Sequence, residues 1–266
     1  MDMRDIRPTV RRRISRMLSY LIFLGLIVAL AFTADWALIT KVFLNKDIAL
    51  GMFPGVFRAA LNTILYTLIA FVIGLVLAIV LALMKLSSGP FKWFAVGFIE
   101  LFRGLPALLT IFIMAFAVPM AFESLRALRI EGVYYGLIGL VFVTGAYTAE
   151  IIRAGIQAVP RGQHEAARSL GMSQMRTMIT VILPQAIRIV IPPLTNELVM
   201  LLKDTSLLFI AGATKANKEL TQFGRDGMSS HFNSTPLLVV AVFYLIITIP
   251  LTYLVARLEK KMAVKQ

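Results

Sequence analysis

Cysteine is absent from the 266 residues, which excludes disulfides and thiolate metal sites. Histidine occurs only at His164 and His231, too few and too far apart for a zinc site of the His-Glu-x-x-His type. No Gly-x-Ser-x-Gly elbow is present to present a nucleophilic serine, and no Gly-x-x-x-x-Gly-Lys-Ser/Thr loop to cradle phosphates. The sequence therefore offers no catalytic residues, no metal site and no means of hydrolysing ATP by itself. Charge is scarce too, at 15% of residues, and acidic charge scarcer still: 14 Asp and Glu against 27 Lys and Arg, a net charge of +13.

What is abundant is apolar. Fifty-nine per cent of the residues are hydrophobic, against about 45–50% in an average soluble chain. A soluble domain of this length could not bury that much apolar surface, so the bilayer is expected to serve as solvent. In a soluble protein the net charge of +13 would suggest nucleic acid. Here the cations gather beside apolar runs, where they set topology and meet lipid headgroups, and no nucleic-acid partner is expected.

In chain order, residues 1–17 carry six arginines and read as a basic cytoplasmic N-terminus. Residues 18–34 form a first apolar run, expected to be an uncleaved span because only Ala29-Leu30-Ala31 hints at a cleavage site. Asp35 to Arg58 reads as an outer loop. Further spans are expected over 60–84, 105–122, 133–152, 180–202 and 236–256, with Phe91 to Phe102 lying along the membrane surface. Pro184 and Pro192-Pro193 should kink or locally unwind the fifth span. Lys203 to Thr235 reads as a long polar outer segment, its Leu207 to Ala213 portion dipping back, and 257–266 as a cytoplasmic tail. On this all-α arrangement of six spans, sixteen cations fall inside and nine outside, which favours cytoplasmic termini.

The chain is organised around Ala149 to Pro184, the one long polar interruption in its second half. Pro160-Arg161-Gly162 should end one helix, Gln163 to Leu170 form a short second one, and Gly171 stop it. Ser173 is placed to cap the next helix. Ala166-Ala167 would leave a low surface on which another protein's backbone could sit.

These residues carry a resemblance. Glu165-Ala166-Ala167, Gly171 and Leu183-Pro184 match the EAA loop of bacterial ABC importer permeases, with Val181 where the family usually has Ile. Ala149-Glu150 with Arg153, Arg103-Gly104-Leu105-Pro106, Asn196-Glu197 and Leu202 to Leu207 resemble the polar amino-acid branch, the histidine, glutamine, arginine and glutamate permeases. The resemblance runs from about Ala60 to Leu258. It implies the type I importer fold over 60–256, with the coupling loop at 153–180 and the first helix as an addition. It also implies a multi-pass subunit of the bacterial cytoplasmic membrane that imports a polar amino acid by alternating access.

Its expected partners are a dimer of ATPase subunits, a second permease (the same chain or a sister) and an extracytoplasmic solute-binding protein. ATP and Mg would sit on the ATPase and no cofactor on this chain. Glu165, Ala166, Ala167, Arg168, Leu170 and Gly171 would form the ATPase-coupling element. The other readings of such a chain are an ATP-independent channel or carrier, which has no use for an EAA loop, and an intramembrane enzyme.

Polar groups at membrane depth are costly unless they face a partner or cavity. Asn196 and Glu197, just beyond the proline pair, and Thr144, Tyr147 and Thr148, at i, i+3, i+4 spacing, are candidates for the substrate pathway. The alternatives are that Glu197 pairs with Lys203 or Arg188 and that the hydroxyls bond back to their own helix. Glu150 and Arg153 should form an ion pair at an inner gate, and Arg103 should anchor a bend. Lys203 and Asp204 either gate the outer mouth or cap the span at the interface.

Overall fold

The structure is a computed structural model that describes residues 8–263, so residues 1–7 of the basic N-terminus and 264–266 of the tail lie outside the described residues. Its contacts fall into two units divided between Asp47 and Ile48. Among the described residues all regular structure is helical.

The first unit is built on α1 (Pro8–Thr33), whose Ser15–Thr33 portion is long and apolar enough to cross a membrane. None of that portion is buried within the chain. At its end Trp36 Nε1 donates to the Ala31 carbonyl at 2.7 Å, and Asp35 caps α2 (Trp36–Phe43) by accepting from the Leu38 N–H at 2.9 Å. The stretch expected to be an outer loop is thus mostly helical, continuing in α3 (Lys46–Gly51). Asp35 and Asn45 each accept a backbone N–H at the start of a helix, so part of the polarity of this stretch is helix capping.

The second unit is centred on α4 (Gly55–Leu86) against a helix from the middle of the chain. Arg58 and Lys85 bracket an uncharged stretch of α4, which makes them markers for its two ends. α5 (Pro90–Gly104) turns Ala95 and Ile99 onto Ala78 and Leu81 of α4. It meets the following helix at a bend of 106°. That helix comprises α6 (Ala107–Phe112), a π-helical turn (Ile113–Ala117) and α7 (Val118–Ala121). At about 1.5 Å per residue it is too short to cross a ~30 Å hydrocarbon core alone. Five described helices have span length and composition, and six result only if the bent pair counts as one.

After the short α8 (Glu123–Ala127), α9 (Gly132–Gln157) is the most deeply buried span. The small-residue stripe of α4 is what lets it come close. A Cβ on Gly74 would lie 3.0 Å from Thr144 Cγ2, and one on Gly145 would lie 2.7 Å from Leu77 Cδ2. Backbone-to-backbone approach replaces the area-driven packing that lipid cannot provide.

Past α9 come α10 (Arg161–Ser169) and α11 (Gln174–Thr177), then a π-helical turn (Met178–Ile182) leading into α12 (Leu183–Asp204). Of the two proline sites expected to kink or locally unwind the span, one goes with a change of helical geometry. Only Pro184, lacking an N–H to give to Thr180, coincides with a departure from α geometry, as a wider turn just before it. α12 runs as one helix through Pro192-Pro193, where the Thr195 hydroxyl donates to the Pro192 carbonyl at 2.8 Å.

The segment expected to be a polar outer loop is largely folded. A 3₁₀ turn (Thr205–Ile210) buries Leu208 in the same core as Tyr66, Ile111, Val133 and Leu201. α13 (Leu220–His231) then packs on α4 and on α14 (Thr235–Ala263), the last helix.

Candidate functional site

Local chemistry shapes the loop after α9. Pro160 cannot continue that helix and stands at the start of α10. α10 stops because Gly171 takes φ +80°, a conformation that costs glycine little. The Met172 N–H then bonds the Ala167 carbonyl at 3.2 Å and the Gly171 N–H the Arg168 carbonyl at 3.0 Å, the paired closure of a Schellman end. Arg168 Nη1 adds a bond to the Met172 carbonyl, and Ser173 Oγ accepts the Arg176 N–H at 3.3 Å to open α11. The helix is therefore closed at its C-terminal end by residues within its own loop, and Pro160 marks its start.

Its outer surface is unoccupied by the chain. Glu165, Ala166, Arg168 and Leu170 are exposed, Leu170 by 84%. Ala167 is not with them. It is only 5% exposed, because neighbours on a helix point about 100° apart and it faces the chain's own body. Of the two alanines expected to leave a low surface, Ala166 alone is exposed and Ala167 is turned inward.

The base beneath α10 is firm. Val159, Ile182 and Ala186 form a buried cluster joined by Ile156, Met178 and Ile189. Gln185 Nε2 bonds the Val181 carbonyl at 2.8 Å and reaches Gln163 Oε1 at 3.4 Å, tying α12 to α10. Where α9 crosses α12, a Cβ on Gly155 would lie 2.1 Å from Val190 Cγ2. A cavity of about 430 Å³ lies beside this base, between Ile156, Pro160, His164 and Met178.

Glu150 and Arg153 pair as expected, through Nε at 2.9 Å and through Nη2. Lys85 joins them, its Nζ 2.9 Å from Glu150 Oε2, so that one carboxylate links the ends of α4 and α9. Arg103 stands beside the 106° bend with its Cζ 5.4 Å from the Tyr147 ring, while the Tyr147 hydroxyl donates to the Arg103 carbonyl at 3.4 Å.

The candidate pathway residues separate. Thr144 and Thr148 are buried while Tyr147 is exposed toward Arg103. The Thr148 hydroxyl has no partner among the described residues, so it does not bond back to its helix. Asn196 is exposed and its Nδ2 lies 4.0 Å from Met200 Sδ. Glu197 is half-buried, and among the described residues neither Lys203 nor Arg188 pairs with it. Lys203 is exposed and Asp204 half-buried where α12 ends.

At the Arg58 end the structure adds residues that sequence reading passed over. Glu131 accepts the Thr214 N–H, the Thr214 hydroxyl and the Asn217 amide, each at 3.0 Å. Burial alone would raise its carboxyl, but these donors hold it below the usual range. Asn62 Nδ2 bonds the carbonyls of Ala216 and Lys218, Thr63 Oγ1 accepts the Leu220 N–H, and Tyr66 donates to the Asn217 carbonyl. Glu219 is fully buried, caps α13 through the Thr221 and Gln222 N–H groups, and accepts from the Tyr244 hydroxyl at 3.1 Å. Burial pushes its carboxyl up to about 7. The one signal in the sequence was Asn62, Thr63 and Tyr66 at helical spacing in an otherwise apolar span.

Comparison with known proteins agrees with this architecture. The family of binding-protein-dependent transport system inner membrane components matches residues 74–264. The chain is 40% identical over 173 residues to the probable glutamine ABC transporter permease protein GlnM of Bacillus subtilis, covering 65% of this chain and 76% of that one. Over 171 residues it is 38% identical to the glutamine transport system permease protein GlnP of Escherichia coli, covering 64% and 75%. Among solved structures, an amino acid ABC transporter crystallised with histidines matches with a TM-score of 0.70 and 33% identity, over 80% of this chain and 96% of that one. A bacterial ABC transporter for alginate import shares the fold at 12% identity, with a TM-score of 0.64 over 95% and 99%.

Proposed function

The chain belongs to the family of binding-protein-dependent transport system inner membrane components, and on that premise we propose that it carries a polar amino acid into the cytoplasm under the drive of a separate ATPase. It is a multi-pass permease of the bacterial cytoplasmic membrane with the type I importer fold, and it works with an ATPase and other transporter components. The finer parts of the reading are a pair of ATPases, a second permease of the same or sister sequence, an extracytoplasmic binding protein, and cytoplasmic termini. ATP and Mg belong on the ATPases, with no cofactor on this chain. Relatives named for glutamine and arginine, and the solved amino acid transporter with histidines, support an amino-acid cargo.

The observation that carries the reading is α10. It is a nine-residue helix, closed at its C-terminal end by its own loop, with its outer face exposed, Ala167 turned inward and Gln163 reaching Gln185 of α12. A helix so built transmits a push as a unit, whereas an open loop would absorb it. Closure of the ATPases against Glu165, Ala166, Arg168 and Leu170 would displace α10, and the Gly155–Val190 crossing would pass the displacement to α9 and α12. Glu150, held by Lys85 and Arg153, links α4 to the same movement. Glu197 supplies an unpaired carboxylate to α12, the chemistry an α-ammonium group requires, with Asn196 beside it.

The test is ATP-dependent uptake of a panel of labelled amino acids by proteoliposomes holding the permease, its ATPase and its binding protein. Gly171→Asp should cut uptake more than tenfold while the permease remains in the membrane and folded, since an L side chain is strained at φ +80°. Flux that needs no ATP and ignores the substitution would overturn the reading.

A further inference from the structure

We propose that the cavity at the Arg58 end of α4 binds the phosphate of an anionic phospholipid from the adjoining leaflet, an inference that rests on the membrane-spanning reading but not on the identity of the cargo. The cavity, of about 810 Å³, lies between the start of α4, α13 and the segment before α13. That is ample for a headgroup, since pockets for small molecules run from about 300 to 1,000 Å³.

Its charge is unbalanced. Arg58, Lys215, Lys218 and Asp226 line it. Asp226 is taken up by Lys218 at 2.6 Å and by Arg225 at 3.5 Å. Arg58 and Lys215 have no hydrogen-bond or ion-pair partner among the described residues. Two cations at one site therefore face an opening whose one lining carboxylate, Asp226, is already engaged by Lys218 and Arg225. Guanidinium and ammonium groups so placed suit phosphate oxygens, the first through two N–H bonds at once.

The rest of the lining selects a lipid over other sources of an anion. Met52, Pro54 and Phe223 make one wall apolar. Phe223 gets there because Gly55 has no Cβ, which would stand 2.9 Å from its ring. Beside that wall, Phe53, Phe57 and Phe243 form a triangle of rings 5.4–6.0 Å apart, with Phe53 and Phe57 43% and 58% exposed. Arg58 is the last charged residue before α4 becomes uncharged as far as Lys85. A cationic pocket at the depth of the headgroups, with aromatic rings beside it, fits a molecule that is phosphate at one end and hydrocarbon at the other. An acidic protein segment would use the cations but leave the apolar wall and the rings without a role.

The assembled transporter would be placed in nanodiscs of phosphatidylcholine with increasing phosphatidylglycerol, and the lipid retained on release counted by native mass spectrometry. Wild type should retain phosphatidylglycerol in preference to phosphatidylcholine. Arg58→Ser with Lys215→Ser should weaken that retention about thirtyfold, at roughly fivefold per surface cation. Arg58→Lys with Lys215→Arg should preserve it and so separate lost charge from lost folding. Equal retention in the serine variant, or no preference in wild type, overturns the proposal. Displacement by millimolar inorganic phosphate would make the free anion the ligand, and loss of binding-protein stimulation with lipid retention intact would make it an acidic protein surface. The first result removes the lipid as ligand, and the second, read in the serine variant, removes Arg58 and Lys215 from lipid binding; each overturns the proposal.

Discussion

The two ends of the α4–α9 pair are finished in opposite ways. At the Lys85 end the chain leaves α10 outside, closes it with backbone bonds and a glycine, and spends few side chains holding it down. At the Arg58 end the residues after α12 are bound by Asn62, Thr63, Tyr66 and Glu131, which satisfy their carbonyls and N–H groups from inside the bundle. The first end leaves the exposed face of α10 open, and the second is gripped by the chain itself. Exposure of a loop in a membrane subunit is thus informative only beside its hydrogen-bond accounting.

The comparison breaks most severely if the base of α10 is wedged apart. Gly155→Ala would put a methyl 2.1 Å from Val190 Cγ2, at the crossing that joins α9 to α12. Overpacking of that kind costs about 1–3 kcal/mol, and the midpoint of thermal unfolding of the purified transporter should fall. Adding Val190→Ala should recover most of the loss. If the double variant stays as weak as the single one, the crossing is not what couples α10 to the spans.

Next in size is the grip at the other end. Glu131→Ala would remove an acceptor from three donors, and leaving such groups unpaired costs about 1–3 kcal/mol. Glu131 is only half-buried, so water will replace part of the loss and the lower end of that range is expected. Hydrogen exchange should speed up over residues 211–219 and stay unchanged over α10. Faster exchange in both places would show that the two ends are not independent.

Much of this was legible because it is local. The extent of α10, its stop at Gly171 and the cap at Ser173 follow from Pro160, one glycine and one serine within a short stretch. What was illegible depends on partners far along the chain. Lys85 and Glu150 are 65 residues apart, and Asn62 finds Ala216 across 154, so Asn217 and Glu219 looked solvated when they were gripped or buried. Ala167 could not be told from Ala166 without knowing which side of α10 meets Ile182 and its neighbours. Proline marked a disturbed fifth span correctly, but which of the three prolines would go with a wider turn was not written in the local sequence.

A smaller effect, visible in its pH dependence, separates the ends further. Glu219 has its carboxyl raised by burial from 4.5 to about 7. For a carboxyl raised on folding, the neutral form favours the folded state, so the benefit is complete below pH 4.5 and is lost as pH rises through about 7. Exchange at the N-terminal turn of α13 should accelerate between those values. Glu219→Gln, neutral throughout, should flatten that slope while leaving α10 untouched. A slope that survives the substitution would assign the titration to another group.

The least effect is expected where the Lys85 end does use a side-chain link. Lys85 and Glu150 sit 2.9 Å apart with their side chains 20% and 21% exposed. An exposed pair contributes about 0–1 kcal/mol, and breaking a fully buried one costs about 3–5. Partial exposure and the second cation on Glu150 put this pair near the upper edge of the exposed class, about 1 kcal/mol. Lys85→Met should therefore leave the permease folded, because Arg153 still neutralises the carboxylate. The double-mutant cycle of Lys85→Met with Glu150→Gln, read from thermal unfolding, should return that coupling. A coupling of several kcal/mol would mean that the Lys85 end is locked from within after all, and the contrast between handle and clasp would lose its basis.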